Sequence, residues 1–316
     1  MGECSRFIWW MTLLGKRIAV VGSGAVGCYY GGMLAHVGHD VRFLIRSDLD
    51  AVRRNGLVID TKGEVIRLPK VQAFATAEEI GPVDLILIAV KTTANRELER
   101  LLPPLIGEHT ALLTLQNGLG NEEFLSARWG AERVTGALCF VCINRTEPGV
   151  IRHLDHGSIS IGEFGKPVSE RVRAVAAAFN EATVEARAVD NLAGERWRKL
   201  LWNIPFNGLS IAARANVAEV LADDDLRSLA RSLMDEGLDA ARRLGHDIPD
   251  AFADWQIERS ASMGPYRSSS MIDFESGRPV EVEAIWGEPL RQGLAAGATM
   301  PKLDALYRIV KFLANR

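Results

Sequence analysis

The sequence lacks the features of a secreted, membrane-spanning or nucleic-acid-binding protein. It has only four cysteines in 316 residues, too few and too unevenly placed for a disulfide framework. Its longest apolar runs, such as residues 83–90, fall far short of the ~20 residues that span a bilayer. The net charge is only -3, which provides no broad basic surface for nucleic acid or an anionic membrane. We therefore expect a reduced, cytoplasmic protein that binds neither.

Two of the cysteines, Cys139 and Cys142, form a C-x-x-C pair. No second pair and no cysteine and histidine cluster completes a zinc site around them. Because the pair lies in the apolar run of residues 134–143, we expect it to pack within a strand, and we predict no metal site.

Residues 1–15 precede any recognisable motif. The apolar stretch at residues 7–14 superficially resembles a signal peptide, but it has no small-residue cleavage site, and a glycine motif begins eight residues after it. We interpret residues 1–15 as an N-terminal extension, with Met11 as an alternative start.

The remaining composition is that of a folded protein long enough for two domains. Hydrophobic residues make up 47% and charged residues 24% of the chain, and glycines number 29. Strand and helix patterns alternate up to about residue 190, after which the pattern is helical almost throughout. We predict an α/β protein with a Rossmann-type doubly wound sheet in residues 16–190, followed by an all-helical C-terminal domain in residues 191–316.

A glycine-rich loop follows the first predicted strand. The β-branched run at residues 16–21 leads into G-x-G-x-x-G, and a helical pattern comes next. A dinucleotide-binding fingerprint requires this order, because its glycines permit a tight turn, close approach of the pyrophosphate, and close packing of helix on strand. We therefore predict a nucleotide site formed by Gly22, Ser23, Gly24, Ala25, Val26 and Gly27.

The residues after the second predicted strand, 41–45, indicate which dinucleotide is bound. An NAD site places an acid here to accept hydrogen bonds from the ribose hydroxyls, whereas a 2′-phosphate needs a cation. Arg46 occupies this place and favours NADP. The competing interpretation is that Arg46 is an ordinary surface arginine and that Asp48 reaches the ribose.

Further strands are predicted at 58–60 and 65–68 as a hairpin, and at 84–90, 110–115, 134–143, 150–154, 158–161 and 183–188, with a helix at 169–180. The strand at 84–90 ends at Lys91, and the strand at 110–115 ends just before Asn117. Ligands bind at the carboxyl edge of such sheets, so both side chains are candidates for the cofactor site. A plain Asn-Gly turn at Asn117 is an equal alternative.

A polar stripe runs along a mostly apolar helix predicted at residues 195–214. Lys199, Asn203 and Asn207 have i, i+4, i+8 spacing, which places them on one side of the helix. A buried cation and two buried amides need partners, and a polar ligand would supply them. The alternative is a solvated face from which Lys199 extends into water. Pro205 is expected to kink the helix.

With these motifs assembled, the sequence resembles the ketopantoate reductase (2-dehydropantoate 2-reductase) family from about residue 16 to near the C-terminus. The resemblance rests on the glycine loop, Arg46, Lys91, Asn117-Gly118, the segment from Glu195 to Asn207, Ser269 to Asp273, and Gly277 to Glu283. It implies a two-domain enzyme that uses NADPH to reduce the small anionic 2-oxoacid 2-dehydropantoate to (R)-pantoate, on the way to pantothenate and coenzyme A.

The resemblance also implies roles for individual side chains. Lys199 would donate the proton, and Glu281 would hydrogen-bond near the reacting oxygen. Substrate would be bound by Asn203, Asn207 and Ser270, together with the two catalytic side chains and Asn117. The cofactor would be contacted by the glycine loop, by Arg46 at the 2′-phosphate, and by Lys91, Asn117 and Cys142 near the nicotinamide.

Two positions depart from the family pattern. Arg267-Ser268 stands where the family often has a substrate-contacting asparagine, and Cys142 stands where a small residue is common beside the cofactor. These departures leave open which 2-oxoacid is the substrate. The alternatives are another NAD(P)-dependent 2-oxoacid or hydroxyacid dehydrogenase and a non-catalytic NADP-binding protein. The oligomeric state stays open, with a homodimer as one option.

Overall fold

The computed structural model describes Trp10 and residues 12–316. Met11, the alternative start, lies outside the described residues. The chain forms two compact units: the first contains the described residues up to Gln116 together with Asn121–Leu192, and the second contains Asn117–Gly120 and Ala193–Arg316. The loop Asn117–Gly120 therefore belongs to the second unit, although the residues on both sides of it belong to the first unit.

The first unit contains ten strands and six α-helices among the described residues. The strands are β1 (Arg17–Val21), β2 (Asp40–Leu44), β3 (Leu57–Thr61), β4 (Glu64–Leu68), β5 (Gln72–Phe74), β6 (Val83–Ile88), β7 (Ile106–Thr114), β8 (Val134–Glu147), β9 (Val150–Glu163) and β10 (Ala186–Ala188). The helices are α1 (Ala25–His36), α2 (Leu49–Asn55), α3 (Ala77–Ile80), α4 (Leu98–Leu101), α5 (Asn121–Trp129) and α6 (Glu170–Glu181).

One sheet has the order β4-β3-β9-β8-β7-β6-β1-β2-β5, with β10 beside β9. The pairs from β5 through β1 to β8 are all parallel, whereas β8 with β9 and β3 with β4 are antiparallel. Strand β1 lies between β2 and β6, so the chain winds in opposite directions on its two sides, which is the switch point where such sheets bind ligands. The predicted Rossmann-type sheet is thus confirmed, and the hairpin of β3 and β4 is also confirmed.

The prediction of two separate strands at 150–154 and 158–161 is wrong, because the single strand β9 runs without interruption through both ranges. The intervening residues suggested a turn, and the structure accommodates them within the strand. His156 and Gly157 have φ values of 59° and 119°, and the β8–β9 register shifts opposite them. A bulge absorbs the extra residue, so pairing resumes on both sides of it.

Alternating side chains of the central strands pack on opposite faces of the sheet. Ile18 and Val20 of β1 lie in the core beneath α1 and α6, and Ala19 and Val21 lie in the core on the other face. Trp10 and Leu13 are buried in the first of these cores. These two residues of the predicted extension are therefore part of the folded first unit, a contribution that the sequence did not reveal.

All regular secondary structure in residues 193–316 of the second unit is helical, as predicted. Its α-helices begin with α7 (Leu192–Ala213), whose first residue is in the first unit, and continue with α8 (Val217–Ala222), α9 (Asp224–Arg243), α10 (Ala251–Ala261), α11 (Ser269–Glu275), α12 (Glu288–Ala295) and α13 (Pro301–Ala314). A π-helical segment, Glu283–Gly287, leads into α12. Within the described part of the chain, no helix combines the length and apolarity needed to span a membrane.

Candidate functional site

The glycine loop between β1 and α1 is built from three different backbone constraints. Gly22 has a φ of 101°, and a Cβ there would lie 2.3 Å from the Val90 nitrogen. A Cβ on Gly27 would lie 2.2 Å from the Gly22 oxygen and 2.9 Å from Cγ1 of Val20, so α1 packs directly on the loop and strand. Around Gly24, in contrast, a Cβ would meet no atom of the described residues within 4 Å. The loop is thus packed on its inner side and open at its middle glycine.

The helix that follows the loop begins without a side-chain cap. Gly24 is the N-cap residue of α1, and within the described part of the chain no side-chain hydrogen bond caps this helix. Uncapped N–H groups and the positive end of the helix dipole together favour an anion at this point. Ser23 donates a hydrogen bond of 2.8 Å to the Leu44 carbonyl, which ties the loop to the end of β2.

The turn after β2 carries both candidate determinants of the cofactor. Arg46 is exposed, and no hydrogen bond or ion pair joins its guanidinium to another described residue. Asp48 is largely buried, with a side-chain exposure of 12%, and its Oδ2 lies 2.7 Å from Nη1 of Arg145 on β8. The acid is therefore paired with a cation, while Arg46 remains available to an anion.

A polar network that the sequence did not single out lies at the carboxyl ends of β6 and β7. The buried Gln116 donates to the Val90 carbonyl at 2.9 Å and to Oδ1 of Asn95 at 2.7 Å, and its own oxygen accepts from Thr114. Lys91 stands next to Val90, at the start of the 3₁₀ helix Thr92–Glu97. Only the carboxyl-end position of Gln116 signalled a role, because a lone glutamine has no motif.

The loop Asn117–Gly120 docks on the π-helical segment of the second unit. In that segment the Glu288 N–H donates to the Glu283 carbonyl, which leaves the Ala284 carbonyl without its usual helical donor. The Leu119 N–H fills this place at 2.9 Å. Gly118 has a φ of 81°, and a Cβ there would lie 2.2 Å from the Ala284 oxygen, so only glycine permits the approach.

This docking brings Asn117 to Lys199, two residues that the sequence separates by 82 positions. Nζ of Lys199 donates to Oδ1 of Asn117 at 2.6 Å, and both side chains are partly buried. Arg196 is buried on the same helix, and its Nη1 lies 3.4 Å from the Gly118 carbonyl. Two cations of α7 therefore contact the loop, and one of them, Arg196, belongs to no motif that predicted a role for it.

The rest of the predicted stripe on α7 is buried. Asn203 and Asn207 are exposed by only 7% and 2%, so the alternative of a solvated face does not hold. Oδ1 of Asn207 and Oγ of Ser210, one turn further along the helix, have no hydrogen-bond partner among the described residues. A buried acceptor without a donor costs free energy, and a ligand hydroxyl or a water would satisfy it. The helix continues through Pro205 to Ala213.

Three predicted site residues remain: Ser270 and Glu281 in the second unit and Cys142 in the first. Ser270 is buried in the first turn of α11, and the Ser268 hydroxyl before it accepts from the Met271 N–H as a helix cap. Glu281 is half-buried, and its carbonyl accepts from the Ile285 N–H at the start of the π-helical segment. Cys142 is half-buried on β8, opposite Asp155 of β9, consistent with a strand position for the C-x-x-C pair.

A cavity of about 320 Å³ in the first unit lies elsewhere. Its lining includes His109, Arg133 and Arg171, near the amino ends of β7, β8 and α6. Glycine loops bind nucleotides at the carboxyl ends of parallel strands, which is the opposite edge of the sheet. None of the predicted site residues lines this cavity.

Family models match both parts of the chain. The model described as Ketopantoate reductase PanE/ApbA matches residues 18–166, and the model described as Ketopantoate reductase PanE/ApbA C terminal matches residues 191–314. Together they span most of both units.

Individual relatives are similar to this chain over nearly their whole length. The chain is 38% identical to a 2-dehydropantoate 2-reductase of Nostoc sp., covering 95% of this chain and 96% of the relative. It is also similar to the crystal structure of 2-dehydropantoate 2-reductase from Geobacter metallireducens, with 44% identity, a TM-score of 0.91, and coverage of 94% and 99%. D-mandelate dehydrogenase in complex with NADH and anilino(oxo)acetate has the same fold at 22% identity, with a TM-score of 0.85 and coverage of 95% and 98%.

Proposed function

Because the chain belongs to the ketopantoate reductase family, we propose that it uses NADPH to reduce 2-dehydropantoate to (R)-pantoate in the cytoplasm. Pantoate is the precursor of pantothenate and coenzyme A, so the proposed place of the enzyme is in their biosynthesis. The observation that carries the proposal is the partly buried hydrogen bond of 2.6 Å between Lys199 and Asn117. It holds an ammonium group beside the loop that follows β7.

The first unit suits a phosphorylated dinucleotide. The open space at Gly24 and the uncapped first turn of α1 fit a pyrophosphate, which the backbone N–H groups would bind. Arg46 is exposed without a described ion-pair partner and would bind the 2′-phosphate. Lys91 and Cys142 are proposed to line the nicotinamide side of the site.

Lys199 is proposed as the acid of the reaction. Bound NADPH supplies the hydride that reduces the ketone carbon, and negative charge then develops on the ketone oxygen. An ammonium at that oxygen stabilises the charge and donates the proton that completes the alcohol. Oδ1 of Asn117 accepts a hydrogen bond from one N–H of Nζ and thereby fixes the direction of the other two N–H bonds. Glu281 would hydrogen-bond near the same oxygen.

The substrate would be held by the polar side chains of α7 and α11. Asn203, Asn207 and Ser270 are all buried, and Oδ1 of Asn207 has no described donor. A hydroxyl of 2-dehydropantoate can donate to that oxygen, and a simple aliphatic 2-oxoacid cannot. Sites that hydrogen-bond a substrate hydroxyl reject analogues that lack it, because their buried polar groups are left unpaired.

The proposed role of Lys199 is tested by the substitution Lys199→Ala. We expect kcat with 2-dehydropantoate to fall by about 10²- to 10⁴-fold, the usual contribution of a positioned proton donor. The NADPH dissociation constant, measured by nicotinamide fluorescence, should stay within about twofold, because the proposed contacts to the pyrophosphate and the 2′-phosphate, at Gly24 and Arg46, lie in the first unit. Lys302→Ala is the matched control, since Lys302 lies on α13 near Glu236 and outside the proposed site.

Near-normal turnover of Lys199→Ala would remove Lys199 from the mechanism. A substrate panel on the unaltered enzyme tests the reaction itself. Preference for pyruvate or 2-oxoisovalerate over 2-dehydropantoate would favour another 2-oxoacid dehydrogenase, and absence of NADPH oxidation with every 2-oxoacid would favour a non-catalytic NADP-binding protein.

A further inference from the structure

Asp48 stands where an NAD-binding protein carries its ribose-binding acid. It follows Gly27 of the glycine loop by 21 residues, close to the usual spacing for an acid that accepts from the adenosine ribose. A free carboxylate here would repel a 2′-phosphate and would favour NADH. The chain therefore carries an acid that opposes the cofactor proposed above, together with Arg46 two residues earlier.

The structure pairs this acid with a cation from a distant part of the sequence. Nη1 of Arg145 lies 2.7 Å from Oδ2 of Asp48, and the Ser47 hydroxyl donates to Oδ1 at 3.0 Å. Both carboxylate oxygens are thus engaged by described residues. The carboxylate does not cap α2, although Asp48 is the N-cap residue of that helix. Its negative charge is therefore balanced by Arg145 and not by the backbone N–H groups of α2.

The position of Arg145 is determined by the hairpin of β8 and β9. The Val58 N–H donates to the Gly149 carbonyl at the hairpin tip at 2.9 Å. A Cβ on Gly149 would lie 2.9 Å from the Gly56 oxygen and 3.3 Å from Cγ2 of Val52, so the tip packs closely against the end of α2. The same hairpin that builds the sheet therefore presents Arg145 to the residue that starts α2.

The Asp48 and Arg145 pair also lies close to the nucleotide loop. Burial raises the pKa of the Cys28 thiol to about 12, the positive charge of Arg145 opposes this rise, and the negative charge of Asp48 adds to it. Cys28 is in the first turn of α1, where its N–H donates to the Gly24 carbonyl. The Ser23 hydroxyl of the loop also donates to the Leu44 carbonyl at 2.8 Å, four residues before Asp48, so the turn that carries the pair is tied directly to the loop that would hold the phosphates.

We propose that Arg145 is a positioning residue for cofactor choice: it neutralises and holds Asp48, so that the turn after β2 accepts a 2′-phosphate at Arg46 in place of a 2′-hydroxyl at Asp48. This inference rests on the proposed use of NADPH and deepens it. It assigns the discrimination between NADPH and NADH to Arg46, Asp48 and Arg145. The sequence indicated no role for Arg145, because it lies 97 residues from Asp48.

The experiment compares the dissociation constants of NADPH and NADH, measured by fluorescence titration without substrate. In Arg145→Ala the unpaired negative charge on Asp48 should weaken NADPH binding about tenfold, equivalent to ~1.4 kcal/mol, while NADH binding stays the same or tightens. Arg145→Lys should keep most of the preference for NADPH, because the positive charge remains. Arg152→Ala is the matched control: Arg152 lies on β9 of the same hairpin and pairs with Asp60 of β3, so this substitution should leave both dissociation constants unchanged.

The double variant Arg145→Ala, Asp48→Asn separates neutralisation of Asp48 from direct phosphate binding by Arg145. Removal of the carboxylate should restore NADPH binding to within about threefold of the unaltered protein, since nothing then needs neutralising. A double variant as weak as Arg145→Ala would overturn the proposal. An Arg145→Ala variant that folds, as judged by its melting temperature, and keeps its preference for NADPH would also overturn it.

The results distinguish a failure of this inference from a failure of the proposed function. If the unaltered protein binds NADPH over NADH and reduces 2-dehydropantoate while Arg145→Ala behaves like it, the inference fails and the proposed function stands. If the unaltered protein prefers NADH or reduces no 2-oxoacid, the proposed function itself fails.

Discussion

At the scale of single residues, the glycine loop shows how one residue type meets different physical demands. Gly27 is required by packing, because a Cβ would overlap the Gly22 oxygen and Val20. Gly24 is required by nothing in the protein itself, because its surroundings are open and its backbone, with φ of −82°, suits any residue. The structure thus supports the different roles that the motif predicts for its glycines.

Matched alanine substitutions should resolve these roles. We expect Gly27→Ala to destabilise the protein by about 1–3 kcal/mol, as overpacking does, and also to weaken NADPH binding. Gly24→Ala should leave the free energy of unfolding nearly unchanged and weaken NADPH binding alone, because the added methyl group enters the space proposed for the pyrophosphate. Urea unfolding and fluorescence titration measure the two effects. Equal loss of stability in both variants would contradict this distinction.

At the scale of elements, the π-helical segment Glu283–Gly287 joins site and scaffold. Its altered hydrogen bonding frees the Ala284 carbonyl for the loop that carries Asn117. On its other side, Glu283 accepts hydrogen bonds from Arg291, Tyr307 and Lys311, at 2.9, 2.7 and 2.8 Å. One carboxylate thus links the segment to α12 and α13.

The pH dependence of stability should report this carboxylate. Partial burial alone would raise the pKa of Glu283, but its hydrogen bonds with Lys311, Arg291 and Tyr307 lower it from 4.5 to about 2. A lowered folded-state pKa means that the contribution is complete above about pH 4.5 and is lost as the pH falls toward 2. Because the side chain is half exposed, solvent screening limits the contribution to less than about 1 kcal/mol.

Glu283→Gln should therefore flatten the fall in the free energy of unfolding between pH 5 and pH 3, measured by urea titration. Asp304→Asn, which alters an exposed pair with Arg308 on α13, is the control for loss of a surface charge. An unaltered slope in Glu283→Gln would show that the linked hydrogen bonds do not persist in solution.

At the scale of the whole molecule, the two units have separate hydrophobic cores and separate proposed ligands. The first contains the proposed NADPH site, and the second contains Lys199 and the proposed substrate side chains. A ligand that binds only the folded state stabilises it by about 2.7 kcal/mol at a concentration of 100 Kd. Binding of NADPH should accordingly be visible in the stability of the first unit.

We expect NADPH to raise the melting temperature more than NADH does at the same concentration. Hydrogen exchange should slow at the first turn of α1 and in the turn after β2, where backbone N–H groups and Arg46 are proposed to bind phosphates. Calorimetry and exchange mass spectrometry provide the measurements. Slowed exchange confined to α10 and α11 would contradict the proposed cofactor site.

Much of this protein was predictable from its sequence. The Rossmann-type sheet, the helical C-terminal unit and the glycine loop follow from local patterns, because strand and helix periodicity and backbone freedom at glycine are properties of short segments. The family resemblance predicted the reaction as well, because the order and spacing of several motifs together are specific even though each motif alone is not. The strand break predicted within β9 was wrong because a bulge is decided by pairing with β8, which local composition does not encode.

Tertiary structure decided the contacts between residues far apart in the chain. The bond between Lys199 and Asn117, the docking of Gly118 on Ala284, and the pairing of Asp48 with Arg145 join positions 82, 166 and 97 residues apart. Each depends on which elements pack together, and side-chain chemistry alone does not determine that. Sequence by itself therefore determined the kind of reaction to expect, and folding determined which charges face each other at the site.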